Sequence, residues 1–204
     1  MNNLSLNEDE IDCLQELMNI SYGSATAAIA EIIEKFATLS IPNIKTLSFE
    51  EFQEYIKNKL DQGFPHYITN QIINGTINGE TMFITDKEST INLGRELDLE
   101  EDELVEDELK DVVLETSNII TSTTLSKFSE LISASITFSP PSISMVNSRE
   151  DFHHHYANNY SQIIIISTNI EFKDQNIKGE LLILSKDESI MFIKEALNKI
   201  LEEF

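Results

Sequence analysis

The sequence predicts an α/β fold of the α+β kind, a pseudo-twofold sandwich in which two halves share one antiparallel sheet flanked by two long helices. Three observations predict it. A set of polar residues recurs after 99 positions. The order long helix, strand, helix, hairpin, helix runs twice. Hydrophobic residues make up 41% of 204, enough for a folded core without a disulfide or metal staple.

The repeat is explicit. Asp12, Glu16, Asn19-Ile20 and Pro42 are matched by Asp111, Glu115, Asn118-Ile119 and Pro141. Each half therefore reads D-x-x-x-E-x-x-N, then 22 residues, then P. Further on, Ile77-Asn78-Gly79-Glu80 is matched by Ile177-Lys178-Gly179-Glu180 at a spacing of 100. The halves thus differ by a net one-residue insertion between the prolines and these glycines. We read an ancestral duplication: one domain over 1–204, made of repeats at about 6–97 and 103–203.

The elements follow in order. A long helix is expected from about Glu8 to Phe36, capped by Asn7. Leu14, Met18, Ser21, Ala25, Ala28, Ile32 and Phe36 fall on its buried stripe. A strand over Ile41–Leu47 and a helix over Phe49–Lys59 come next. Residues 66–74 and 77–85 form a hairpin, turning at Asn74-Gly75 or Asn78-Gly79. Glu88–Leu97 is a short helix. The second half repeats this with a helix over Glu103–Ser133, strands near 135–147 and an irregular or helical piece at 148–157. Strands at 162–172 and 177–184 and a closing helix at 188–203 complete it. Ten of the sixteen residues from Glu96 to Asp111 are acidic. They read as a solvated linker running into a helix N-terminus that favours negative charge.

Composition excludes several functions. The net charge is −22, which opposes binding to nucleic acid and to anionic lipid. Cys13 is the single cysteine, so neither an internal disulfide nor a multi-cysteine zinc site forms. The first ten residues carry no signal-peptide pattern, and no apolar run approaches ~20 residues. A cytoplasmic protein is expected. No glycine-rich phosphate loop or serine-nucleophile elbow is present. Glu150 and His153 share the spacing of a carboxylate–histidine metal motif, but one copy is weak. The run His153 to His155 reads as an exposed polar segment, and no bound metal is expected.

The repeated polar residues share one narrow helix face. At about 100° per residue, Glu16 lies about 40° from Asp12, Asn19 about −20° and Gly23 about 20°. That face lies off the apolar stripe and points outward. Asparagine is a poor helix-interior residue, because its side chain competes for backbone hydrogen bonds. Its presence at the same register in both long helices needs a cause. A structural bond to a neighbouring loop competes with a functional role. A carboxamide donates and accepts without charge, so it suits the holding of a water molecule. A carboxylate one turn earlier can pair with a partner's lysine.

D-x-x-x-E-x-x-N-x22-P, twice in about 200 residues, resembles the signature of the CheC-type chemotaxis phosphatases, the CheC, CheX and FliY family. The resemblance runs from about Leu6 to Leu201, and two motifs resemble CheC more than the shorter, one-motif CheX. It implies hydrolysis of the aspartyl phosphate of a CheY-type response regulator. It implies that Asn19 and Asn118 orient the attacking water and that Glu16 and Glu115 pair with the receiver's lysine. Asp12, Asp111, Pro42 and Pro141 support the motif. The resemblance places Mg²⁺ in the receiver, with no cofactor held by this chain. It adds a CheD-type deamidase as a partner. Ser122 departs from Gly23, and Ile120-Thr121 from Ser21-Tyr22. The alternative is a non-catalytic module that grips a receiver or adaptor by the same face.

Overall fold

A computed structural model describes residues 5–35, 38–60, 65–148, 151 and 163–203. The elements are α1 (Glu8–Ile32), β1 (Thr38–Leu39), β2 (Asn43–Leu47), α2 (Phe49–Leu60), β3 (His66–Gly75), β4 (Gly79–Asp86) and α3 (Lys87–Glu96). The second half supplies α4 (Glu106–Leu131), β5 (Ile136–Phe138), β6 (Ser142–Val146), β7 (Ile163–Phe172), β8 (Ile177–Ser185) and α5 (Asp187–Glu202). All eight strands join one antiparallel sheet. Its order is β1-β7-β8-β4-β3-β5, with β2 also on β7 and β6 also on β3.

The register carries the duplication through the whole sheet. At the centre, Met82 lies opposite Leu182, its own counterpart 100 residues on, with Gly79↔Ser185 and Thr85↔Gly179 symmetric about them. A pseudo-twofold axis therefore passes between β4 and β8. At the edges, Asn43↔Ser167 is mirrored by Ser142↔Asn70, and Thr38↔Glu171 by Thr137↔Asn74. Ser167 thus takes in β7 the place of Asn70 in β3, only 97 positions earlier. The chain is shortened by two residues before β7. It is lengthened by three in the β7–β8 turn, where Lys173–Gln175 forms a 3-10 turn ending at left-handed Asn176. Together these produce the net one-residue insertion.

Each half sends its edge strands to the other half's hairpin. β1 and β2 pair with β7, and β5 and β6 pair with β3. Pro42 and the Pro140-Pro141 pair lack an N–H for the ladder and split each edge into two short strands. For this reason the strand expected over 41–47 begins at Asn43, and Ile41 sits in the break, 77% exposed.

The central strands are apolar on both faces. Ile164, Ile166, Leu181 and Ile183 join α1, α3, α4 and α5 in the larger core. Ile163, Ile165, Leu182 and Leu184 meet Phe52, Ile56 and Leu60 of α2 on the opposite face. The two long helices pack on the same side of the sheet, against each other.

The long helices end earlier than the periodicity suggests. Glu34 and Ser133, 99 residues apart, both adopt positive φ, at 52° and 54°. A left-handed residue stops a helix, so α1 closes at Ile32 and α4 at Leu131. Within α1, Leu14, Met18, Ser21 and Ala25 are buried as expected. Ile32 is half exposed, and Ile29 and Ile33 take the core position instead. Phe36 lies outside the described residues. Asn7 caps α1 in a full capping box with Glu10. α4 begins at Glu106 and not Glu103, because Glu103 closes a turn onto Glu100 O.

Candidate functional site

The polar face of each long helix is where the 3.6-residue period puts it. Asp12, Glu16, Asn19 and Gly23 are exposed, while Leu14, Leu17, Met18, Ser21 and Tyr22 between them are buried. Asp111, Glu115 and Asn118 are exposed between buried Val112, Val113, Thr116, Ser117 and Ile120. The end of α1 (Ile29, Ile32, Ile33) shares a groove with the first half of α4 (Val112, Glu115, Thr116, Ile119). The helices therefore run in opposite directions, and the two polar clusters face outward on either side of the axis.

Each cluster is backed by the proline loop of its own half and by a strand of the other half. In the first, Gln15 Nε2 donates to Pro42 O at 2.7 Å, tying the β1–β2 loop to α1 one turn before Asn19. Thr168 of β7 donates from Oγ1 to Ser40 O at 2.9 Å. Asn19 makes no side-chain hydrogen bond among the described residues. A Cβ built on Gly23 meets nothing within 4 Å. No packing inside the chain calls for this glycine, which costs about 1 kcal/mol in a helix interior relative to alanine.

The second cluster differs in one contact. Gln71 of β3, the counterpart of Thr168, is buried and reaches further. Its Nε2 donates to Ser139 O at 2.8 Å and to Asn118 Oδ1 at 3.1 Å. Its Oε1 is buried without a hydrogen-bond partner, an arrangement that costs about 1–3 kcal/mol. Ser122, in place of the first half's glycine, is half-buried and donates to Ile119 O. The structural bond weighed for the asparagines thus exists for Asn118 and not for Asn19.

Sequence reasoning missed Gln71, Thr168, Ser40 and Ser139. The serines do recur at 99 residues. The backing strands do not: β3 and β7 are related at 97, and the residues themselves differ, so the repeat cannot point to them.

The carboxylates are available to a partner. Asp12, Glu16, Asp111 and Glu115 form no ion pair among the described residues. Glu8, Asp9 and Glu10 precede the first cluster on α1, and Glu106, Asp107 and Glu108 precede the second on α4. Glu10 is buried and paired with Lys194, and Lys110 pairs with Glu106 and Asp107, so the attraction for cationic groups comes from the motif carboxylates and from Glu8, Asp9 and Glu108. No group of three or more His, Cys, Asp or Glu side chains that could hold a metal occurs among the described residues. Glu150 and His153 to His155 lie outside them. No helix is long and apolar enough to cross a membrane, among the described residues.

Comparison with known proteins bears on the fold and on the second half of the chain. Residues 67–163 match the family model described as chemotaxis phosphatase CheX, a stretch that holds the whole second motif from Asp111 to Pro141. The fold is that of FliY from Thermotoga maritima: TM-score 0.75 at 16% identity, over 95% of this chain and 98% of that one. It is also that of a CheX from Desulfovibrio desulfuricans, at 0.56 and 15% identity over 84% and 99%. FliM in the FliM–SpeE complex from H. pylori shares it too, at 0.67 and 9% identity over 96% and 97%. Among curated proteins, none matches in sequence. The fold is the one that FliY, CheX and FliM share. Residues 67–163 resemble the CheX family, and the chain as a whole has the fold seen in FliY and CheX.

Proposed function

We propose that this chain hydrolyses the aspartyl phosphate of a CheY-type receiver domain and so ends a chemotaxis signal. The observation that carries the reading is Asn19. It stands mid-helix on an outward face, unfavourable for the helix, with no side-chain hydrogen bond among the described residues, and it is duplicated at Asn118. An asparagine kept at the same register of both long helices, beside a carboxylate with no ion pair among the described residues, and without an internal bond at Asn19, has a use outside the helix.

In this mechanism Glu16 or Glu115 pairs with the receiver's lysine and sets the docking register. Asn19 or Asn118 then reaches the acyl phosphate and holds one water in line with the phosphorus. Water attacks phosphorus, the bond to the aspartyl oxygen breaks, and carboxylate and inorganic phosphate leave. The Mg²⁺ that steadies the phosphoryl oxygens belongs to the receiver, and this chain supplies neither metal nor nucleophile. Acyl phosphate is already activated, so placing one water, worth about 100-fold or ~2.7 kcal/mol, is enough for a signal terminator. Gly23 leaves room for the receiver to approach α1. A CheD-type deamidase stays within the proposal through the resemblance, and no residue is assigned to it.

The test is the decay of a phosphorylated CheY-type receiver with Mg²⁺ and catalytic amounts of the protein. Decay accelerates with wild type. It returns to the spontaneous rate with Asn19→Ala plus Asn118→Ala, and each single variant keeps part of the activity. Full activity in the folded double variant refutes the reading.

Two observations favour a second reading, a binding module without turnover. The fold is shared with FliM, and Asn118 has internal work to do. Receiver binding that survives loss of both asparagines, with no hydrolysis by wild type, selects that reading.

A further inference from the structure

We infer that Gln71 is a positioning residue: it fixes the carboxamide of Asn118 so that the amide NH₂ faces the docked partner. The inference rests on the phosphatase reading for its consequence and on geometry for its cause.

The geometry runs outward from a backbone carbonyl. Ser139 O only accepts, so the Gln71 atom 2.8 Å away is the NH₂ nitrogen. That nitrogen has a second hydrogen, directed at the Asn118 side-chain atom 3.1 Å away. The facing atom of Asn118 is therefore Oδ1, and Nδ2 turns outward. One backbone carbonyl thus sets the orientation of two amides in series, which neither amide sets alone. Burial holds the relay in place, since Gln71 is only 4% exposed. Its Oε1 has no partner among the described residues, so the relay is kept despite an uncompensated acceptor.

The first half supplies the contrast. Thr168 stands at the position of Gln71 and keeps the bond to the loop carbonyl, Ser40 O, at 2.9 Å. Its side chain stops there, and Asn19 is not held. Bonding the loop therefore does not require glutamine. The added length of Gln71 serves Asn118. The two clusters are then unequal: Asn118 is already oriented in the docked complex, and Asn19 loses its rotamer freedom only as it places the water in the transition state.

The test uses Gln71→Thr, the residue the chain itself uses at Thr168, which keeps the loop bond. In an Asn19→Ala background, where only the second cluster works, kcat for the phosphorylated receiver falls about 2- to 10-fold, the worth of one frozen side chain. KM stays the same, and Gln71→Thr leaves kcat unchanged in an Asn118→Ala background that retains Asn19, where only the first cluster works. The second readout is the side-chain amide NMR signal of Asn118 in the free protein. It shifts in Gln71→Thr, and that of Asn19 does not. An unchanged kcat, or a rise in KM in place of a fall in kcat, overturns the positioning role. If wild type does not hydrolyse the phosphoreceiver, the phosphatase reading fails separately. The NMR signal then decides, and an unmoved Asn118 amide overturns the tether.

Discussion

Replacing each motif asparagine with alanine separates a residue kept for a partner from one kept for the fold. Asparagine is worse than alanine in a helix interior by roughly 0.5–0.7 kcal/mol. Asn19 is exposed and bonds nothing among the described residues. Asn19→Ala therefore stabilises the protein by about 0.5 kcal/mol, or roughly 1–2 °C in Tm for a chain of this size. Asn118→Ala gains the same propensity but loses the bond from Gln71. That bond is worth about 1 kcal/mol, and its loss strands one buried N–H of Gln71. The net is a loss of about 0.5–1 kcal/mol. Two substitutions identical in chemistry, at matching positions of α1 and α4, should thus move stability in opposite directions. Urea unfolding of the two variants and wild type at one pH measures this. The slopes should agree, so that the midpoints report stability alone. If Asn19→Ala destabilises as much as Asn118→Ala, Asn19 holds a contact in the fold, and the argument for an external role collapses.

Two further outcomes concern the scaffold. A Cβ on Gly79 would collide with Leu184 O of the neighbouring strand, whereas one on Gly179 would meet the ring of Phe83. Backbone at the centre of the sheet cannot withdraw and a ring can turn, so Gly79→Ala should cost more than ~3 kcal/mol and Gly179→Ala about 1–3 kcal/mol. Equal midpoints in denaturant would contradict this. Glu10 is buried between α1 and α5. Burial pushes its carboxyl up, but the Asn7 backbone N–H, the Asn198 amide and the Lys194 ammonium outweigh that and hold it below the ordinary glutamate range. A depressed folded value adds stability above the unfolded value, and this is lost as pH falls through the folded one. The stability gap between wild type and Glu10→Gln should accordingly be full at pH 7 and shrink below about pH 4. A gap independent of pH would remove Glu10 from the link.

Much of the fold was legible because its signals are local or repeated. The capping box at Asn7, the hairpins and the outward polar face all follow from short-range pattern, and the duplication made each expectation count twice. What was illegible is long-range. The ends of α1 and α4 are set by left-handed Glu34 and Ser133, neither of them the glycine that usually marks such a stop. The break at Pro42 is visible in sequence only as a proline, and its meaning comes from lying opposite β7. Gln71 could not be found at all. Its role depends on the edge strands crossing to the other half's hairpin, and on a two-residue shortening followed by a three-residue lengthening that shifts β7 against β3.

That crossing also explains how the two clusters can diverge while their motifs stay the same. Each cluster is a helix and a proline loop from one half, seated on a strand from the other. Asp111, Glu115, Asn118 and Pro141 belong to the second half, yet the side chain that touches Asn118 comes from β3 of the first. The matching position behind Asn19 belongs to β7 of the second. A change at one buried strand position therefore alters the cluster of the opposite half and leaves every motif residue in place. Motif identity across the duplication is then no evidence of equal function. A glutamine on one strand and a threonine on its counterpart are enough to make one asparagine ordered before docking and leave the other free.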